Sequence, residues 1–201
     1  MVGVFILTPA IALAQGEHLR RMATELVVIS GDMKRLVSTK PGTPRHKGLS
    51  ARIKGGLAGL ELLLRLANEE QGRSTYLHSN LIPALRSSFR DGNAKRFREI
   101  TDKLIAVFPF TATGILPAKS TPLRLKRGRA LHEELCAACH DEPDLDVERP
   151  AYNLFREAKQ LPATEFSARM VVGVRGDRVT GIDNPLSDEQ IGSMIAYYLS
   201  R

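Results

Sequence analysis

The chain has 201 residues, of which 43% are hydrophobic and 25% are charged, so it suits one large or two small domains with a real core. It contains no tryptophan and only 5% aromatic residues, which favours helices and argues against a sheet-rich fold. The net charge of +7 is unevenly spread, with 22 Lys and Arg against 9 Asp and Glu before Ala130, and 7 against 13 from there on. These opposite signs suggest a basic and an acidic module, each of which binds partners of the other charge. The alternative is that the charges only keep the surface soluble.

An apolar run over residues 2–14 opens the chain. Ala12, Leu13 and Ala14 fit the small-x-small cleavage pattern of a secretory signal. The run is too short to span a bilayer, and no Lys or Arg precedes it. We expect residues 1–14 to be a signal peptide and the protein to be exported to the periplasm, with a buried first strand or helix as the alternative. We expect no transmembrane span elsewhere.

Residues 15–110 predict an antiparallel four-helix bundle with its own core. Four stretches place apolar side chains three and four residues apart, which is the helical period, and short or moderate loops separate them. The stripes are formed by Leu19, Met22, Leu26, Ile29, Met33 and Leu36, by Leu49, Ile53, Leu57, Leu60 and Leu64, by Leu77, Leu81, Leu85 and Phe89, and by Phe97, Ile100, Leu104 and Phe108.

Glycine and proline residues predict details of this bundle. Gly31 lowers the helix propensity in the middle of the first helix. Gly55 and Gly59 are four residues apart and predict a smooth spot where another helix approaches, with a cofactor contact as the functional alternative. Pro83 either kinks the third helix, expected over residues 75–90, or marks its first turn. Residues 111–122 are expected to link the bundle to a second domain.

The two cysteines of the chain, Cys136 and Cys139, lie three residues apart and His140 follows at once. A disulfide would close a very small loop, a structural zinc site needs four ligands, and a thioredoxin-like motif belongs in a βαβ unit. The pattern C-x-x-C-H is also that of c-type haem attachment, and this interpretation uses every residue. It predicts one covalently attached haem c, with thioethers from Cys136 and Cys139 and His140 as the proximal iron ligand.

Two stretches resemble the class I cytochromes c. GRALHEELCAACH resembles the first helix and haem-binding motif of that family, and LSDEQIGSMIAYYLSR resembles its C-terminal helix. The resemblance covers about residues 123–201 and implies an all-α chain in which a class I cytochrome c-like domain follows the bundle. It also implies that the two helices cross near Gly128 and Leu131 on one side and Tyr197 or Tyr198 on the other. A class II four-helix cytochrome carries its motif close to the chain end, whereas 61 residues follow His140 here, so that alternative requires the tail to be a separate appendage.

The sixth iron ligand is where the chain departs from the family pattern. Val179 stands about where the family has a methionine, and valine cannot ligate iron. Met170 is the candidate replacement, while Met194 is expected to pack between helices. The alternatives are an open or water-bound position, or a histidine. The histidines are His18, His46 and His78 in the bundle and His132, which is expected to point outward.

These observations predict an exported mono-haem cytochrome that transfers single electrons between redox proteins, with the bundle as a docking module and without catalytic residues. A haem protein with an open distal site, for small-ligand sensing or peroxide chemistry, and a haem subunit of a larger oxidoreductase are the alternatives. Charge is expected to steer the partners, nucleic acid is not expected, and the oligomeric state stays open. The candidate docking charges are the basic groups 45–47, 95–98 and 124–129, and Asp141, Glu142, Asp144 and Asp146 beside the motif. For the basic groups, an anionic lipid surface or the chain's own acidic haem domain are the alternatives to an acidic redox partner.

Overall fold

A computed structural model of the chain describes residues 16–143, 146–147, 150–175, 181–182 and 184–201. The expected signal peptide, Asp144 and Val179 lie outside these residues. Helices dominate the described part, so the predicted all-α class is confirmed, with one antiparallel pair of two-residue strands added. The elements are α1 (Glu17–Ser38), α2 (Pro44–Glu70), α3 (Leu81–Arg90), α4 (Ala94–Val107), α5 (Pro122–Leu135), α6 (Ala137–His140), α7 (Leu154–Gln160), α8 (Ala163–Val172), β1 (Val174–Arg175), β2 (Gly181–Ile182) and α9 (Asp188–Leu199).

Local signals set the helix starts in the bundle. The Thr43 side chain accepts a hydrogen bond from the backbone N–H of His46, and Pro44 occupies the first turn of α2. The third helix begins at Leu81, later than the predicted residue 75, so Pro83 lies in its first turn. His78 precedes it with a φ of 64°, a left-handed conformation that interrupts a helix. Leu77, predicted on the apolar stripe, therefore lies before α3 and is 39% exposed.

Two hydrophobic clusters organise the described residues. The first joins α1, α2, α3 and α4 and contains most of the predicted stripe residues, including the fully buried Phe97. The second joins α7, α8 and α9 and includes Tyr198. Ile115 belongs to the second cluster and is 1% exposed, so the segment predicted as a linker packs against α9. Its backbone approaches Gly192, where an added Cβ would lie 2.9 Å from the Ile115 carbonyl oxygen.

Helices α5 and α9 cross at Gly128, where the sequence led us to expect a close approach. A Cβ added at Gly128 would lie 2.2 Å from the backbone oxygen of Ser193 and 2.8 Å from Cβ of Tyr197. A real Cβ atom does not fit at such distances, so glycine is required for this packing. Ser187 caps α9 and forms a reciprocal capping box with Gln190.

The glycines that admit neighbouring groups in the bundle are not the predicted pair. Gly55 is exposed and nothing lies within 4 Å of a Cβ added at Gly59, so the prediction of a helix contact there was wrong. Gly56, which faces α1, makes room for the Glu25 side chain. Gly31 lowers the helix propensity of α1, but it also makes room for Glu165 on α8, because an added Cβ would lie 2.2 Å from a carboxylate oxygen of Glu165.

A buried ion network joins α1 and α2 to α8. Asp32 on α1 is completely buried and accepts hydrogen bonds from Arg52 on α2 and Arg169 on α8. Arg169 also donates to Glu165 at 2.7 Å, and Arg35 pairs with both carboxylates. Burial alone would raise the pKa of the Asp32 carboxyl, but Arg52 and Arg169 outweigh it and lower that pKa to about 2. The bundle and the C-terminal helices therefore share a charged interface.

An apolar contact supports the same interface. Val28 on α1 packs with Ala168 and Val172 on α8, and Phe110 lies against them.

Among the described residues, the helices are either too short or too polar to cross a lipid bilayer.

Candidate cofactor-binding site

The C-A-A-C-H motif forms the turn from α5 into α6 and includes all of α6. The Thr121 side chain caps α5 at its start, α5 ends at Leu135, and Cys136 separates it from α6. The carbonyl of Cys136 accepts hydrogen bonds from the backbone N–H of Cys139 at 3.2 Å and of His140 at 3.0 Å. These bonds close one helical turn, and residues three or four apart on such a turn lie on the same side. The two thiols and the imidazole are therefore presented together.

The thiols of the motif are free and differ in their surroundings. Cys136 is partly buried and Cys139 is exposed, and neither forms a disulfide. Burial raises the pKa of the Cys136 thiol, although a hydrogen bond with the Tyr198 hydroxyl opposes this effect. Burial also raises the pKa of Tyr198, which stays protonated. The Cys136 thiol is thus shifted away from the thiolate form.

His140 is oriented by a backbone carbonyl. Its Nδ1 lies 2.6 Å from the carbonyl oxygen of Tyr152. A carbonyl oxygen can only accept, so Nδ1 must carry the proton and donate. Burial lowers the pKa of His140, which favours the neutral ring. In that tautomer Nε2 keeps its lone pair, and an imidazole held in this way by a second partner is typical of a metal-ligating histidine.

His132 does not point outward, and that expectation was wrong. It is 2% exposed, with Nδ1 3.2 Å from the Tyr198 hydroxyl and Nε2 3.1 Å from Oδ1 of Asp141. Phe155 lies edge-on to its ring with centroids 5.3 Å apart. Both ring nitrogens already have partners, so His132 serves to fasten the motif turn to α9. Its position four residues before Cys136, on the same helical face, is the sequence signal that indicates burial.

Tyr152 is held from the bundle side by Arg45, a contact that the sequence did not predict. The Arg45 guanidinium carbon lies 4.5 Å from the centre of the Tyr152 ring, and Nη2 lies 3.6 Å from Oε1 of Glu157. For the basic group 45–47, the sequence left three partners open: an acidic redox protein, an anionic lipid surface and the chain's own acidic C-terminal module. Arg45 is engaged within the chain, over the ring of the same residue whose carbonyl orients His140.

The candidate sixth ligands fall in different places. Met170 lies on α8, is partly buried and packs against the second cluster, while its carbonyl accepts a hydrogen bond from the Asn184 side chain. Met194 is completely buried in α9, as expected from the sequence. His18 and His46 lie in the first turns of α1 and α2.

The donor set on the motif turn consists of two thiols and one imidazole nitrogen. Across the described part of the chain, no group of three or more His, Cys, Asp or Glu side chains is arranged to hold a bare metal ion. A haem iron makes a smaller demand, since the porphyrin supplies four nitrogens and the protein supplies the axial ligands. Two free thiols and Nε2 of His140 are the groups that covalent haem attachment uses.

Comparison with known proteins adds no family assignment. No protein-family model, no curated protein and no solved structure matches the chain. The functional conclusion therefore depends on the residues around His140.

Proposed function

We propose that the chain attaches one haem c through Cys136 and Cys139 and transfers single electrons between redox proteins. The observation that carries this proposal is the hydrogen bond from Nδ1 of His140 to the Tyr152 carbonyl, on a turn that also bears both cysteines. That bond leaves Nε2 as the free donor of a neutral ring, which is what an axial haem ligand requires.

Each residue of the turn has a role in this proposal. Cys136 and Cys139 would each hold the porphyrin through a thioether, formed by adding S–H across a vinyl double bond, and this addition needs no oxidant. His140 would supply Nε2 to the iron, while the Tyr152 carbonyl fixes the plane and tautomer of the imidazole. Bound haem would supply the one-electron chemistry, while the protein sets its potential and exposure.

The surroundings of the turn support a rigid site. Tyr198 packs edge-on to Phe155 at 5.2 Å and to His132 at 5.4 Å between ring centroids. Such aromatic contacts each contribute about 0.5–1.5 kcal/mol beyond their buried area. Leu135, which precedes Cys136 in the chain, is in contrast 52% exposed. An apolar side chain exposed next to this thiol suits a site that a large apolar cofactor covers.

Among the described residues, the exposed basic side chains that could dock an acidic redox partner lie more on the bundle than on α5. Arg124 donates to Glu189 through Nε at 2.9 Å and through Nη2, and Arg127 lies 3.6 Å from the same carboxylate. Arg129 pairs with Glu133 in the same helix. The basic group on α5 is therefore largely engaged within the chain. The exposed side chains of Lys95, Arg96 and Arg98 on α4 are better placed to meet an acidic redox partner.

A haem protein with an open distal position is the second candidate function, because few of the described methionines are placed to act as a sixth iron ligand. Met22, Met33 and Met194 are buried in helical cores, which leaves Met170 as the partly buried methionine among the described residues. Ligation by Met170 would favour plain electron transfer, whereas a vacant position would permit small-ligand binding. A ferrous spectrum that carbon monoxide does not change supports the carrier, and rapid carbon monoxide binding supports the open site.

Expression in a host that attaches haem c tests the proposal directly. The wild-type chain should carry covalent haem at one per chain, measured by the haemochrome spectrum after acid and solvent extraction. Cys136→Ser and Cys139→Ser should each retain haem poorly, and His140→Ala should lose the low-spin spectrum. His18→Ala, which alters a histidine in the first turn of α1, is the matched control and should keep wild-type haem content. A colourless wild-type protein would reject the proposal.

A further inference from the structure

Arg45 is the residue by which the bundle reaches the proximal side of the proposed haem. It lies in the first turn of α2, where Thr43 and Pro44 set the start of the helix. Its guanidinium carbon lies 4.5 Å from the Tyr152 ring centre, a distance at which the ring face attracts a cation. The carbonyl of the same residue, Tyr152, accepts the hydrogen bond from His140. Arg45 and Tyr152 thus connect α2 to His140.

Arg45 also balances a poorly solvated carboxylate beside this histidine. The Glu157 side chain is 15% exposed and its Oε1 accepts no hydrogen bond from the described residues. Its charged partner is Arg45, with Nη2 3.6 Å from Oε1. Arg45 contacts both the Tyr152 ring and the Glu157 carboxylate, so this pair of charges lies beside the residue whose carbonyl accepts the hydrogen bond from His140. Removing Arg45 would leave this negative charge uncompensated on the proximal side.

We propose that Arg45 is a positioning residue through which the bundle holds Tyr152 and sets the electrostatic environment of His140. This inference rests on the proposed haem attachment and deepens it. It gives the bundle a role inside the redox site in addition to docking. Because the ferric state carries one more positive charge than the ferrous state, a nearby cation raises the reduction potential and a nearby anion lowers it.

Four variants separate charge from structure. Arg45→Gln removes the cation and exposes the effect of Glu157, so the reduction potential should fall. Glu157→Gln removes the anion, so the potential should rise. The double variant Arg45→Gln/Glu157→Gln should lie closer to wild type than either single variant. Arg45→Lys keeps the charge and should restore a potential near that of wild type.

The matched control breaks another ion pair between the same two parts of the chain. Arg20 on α1 pairs with Asp188 at the start of α9 and not with the residues around His140. Arg20→Gln should leave the potential unchanged, even if thermal unfolding occurs at a lower temperature. Potentials are measured by spectroelectrochemical titration of the purified haem-loaded chain, and thermal unfolding is followed by circular dichroism.

The outcomes distinguish this inference from the proposed function. Potentials that follow the sign of the charge removed, with Arg20→Gln unaffected, support the inference. A haem-loaded wild type whose potential does not change in Arg45→Gln overturns the inference and leaves the proposed function standing. The inference is also overturned if Arg45→Gln and Arg20→Gln change the potential alike. A wild type without covalent haem overturns both.

Discussion

Asp32→Asn should destabilise the protein strongly and with a defined pH dependence. The asparagine keeps the size of the side chain but removes the charge that Arg52 and Arg169 share. Both arginine side chains are largely withdrawn from water, with 26% and 17% of their surface exposed. Removing one member of a buried ion pair is costly because the remaining charges keep their desolvation penalty.

The magnitude follows from the pKa of the carboxyl. A pKa lowered from 3.8 to about 2 corresponds to roughly 2–3 kcal/mol of folding free energy at neutral pH. Breaking a buried pair costs about 3–5 kcal/mol in general. We therefore expect Asp32→Asn to lower the free energy of unfolding by about 3 kcal/mol at pH 7.

The sign of the pH dependence is fixed by the same shift. Because the folded-state pKa is depressed, this contribution is fully present above about pH 4 and is lost as pH falls towards 2. The difference between wild type and Asp32→Asn should be constant from pH 7 to about pH 5 and should shrink below pH 4. Urea unfolding followed by circular dichroism at several pH values measures both quantities.

Glu61→Gln is the matched control for this experiment. Glu61 pairs with Arg86 at 3.0 Å, but its side chain is 60% exposed, so the ion pair is screened by water. Its loss should cost less than about 1 kcal/mol. A cost below about 1 kcal/mol for Asp32→Asn, or a difference that persists unchanged at pH 2.5, would refute the assignment of a buried, charged Asp32.

Two further changes test the helix crossing and the buried histidine. Gly128→Ala pushes a Cβ into the Ser193 carbonyl and should cost about 1–3 kcal/mol, whereas Gly59→Ala has open space and should stabilise by about 0.5–1 kcal/mol; equal effects in urea unfolding would contradict the crossing. His132→Leu leaves the buried Tyr198 hydroxyl without its imidazole partner and should cost about 1–3 kcal/mol in the same assay. An unchanged midpoint would show that the hydrogen bond contributes nothing.

The sequence alone predicted features that depend on local spacing. The helical period located α1, α2 and α4 closely, because an apolar side chain every third or fourth residue can be buried only on one helical face. The close approach at Gly128 was also expected, but it was implied by the resemblance to class I cytochromes c and not by the helical period. The start of α3 was missed because the apolar stripe continues through Leu77, and only the left-handed His78 ends it.

The C-x-x-C-H turn was likewise predicted from the sequence. Its donors are three and four residues apart, so one helical turn brings them to the same side and no distant residue is needed. Tertiary structure decided which partners surround that turn. Asp32 meets Arg169 across 137 residues, and Arg45 meets Tyr152 from the other module. No local period encodes such pairs: each charged residue suits a solvated helix face equally well until packing removes the water around it. The geometry of the motif therefore follows from local sequence, whereas its contact with the bundle through Arg45 and Tyr152 forms only when the chain folds.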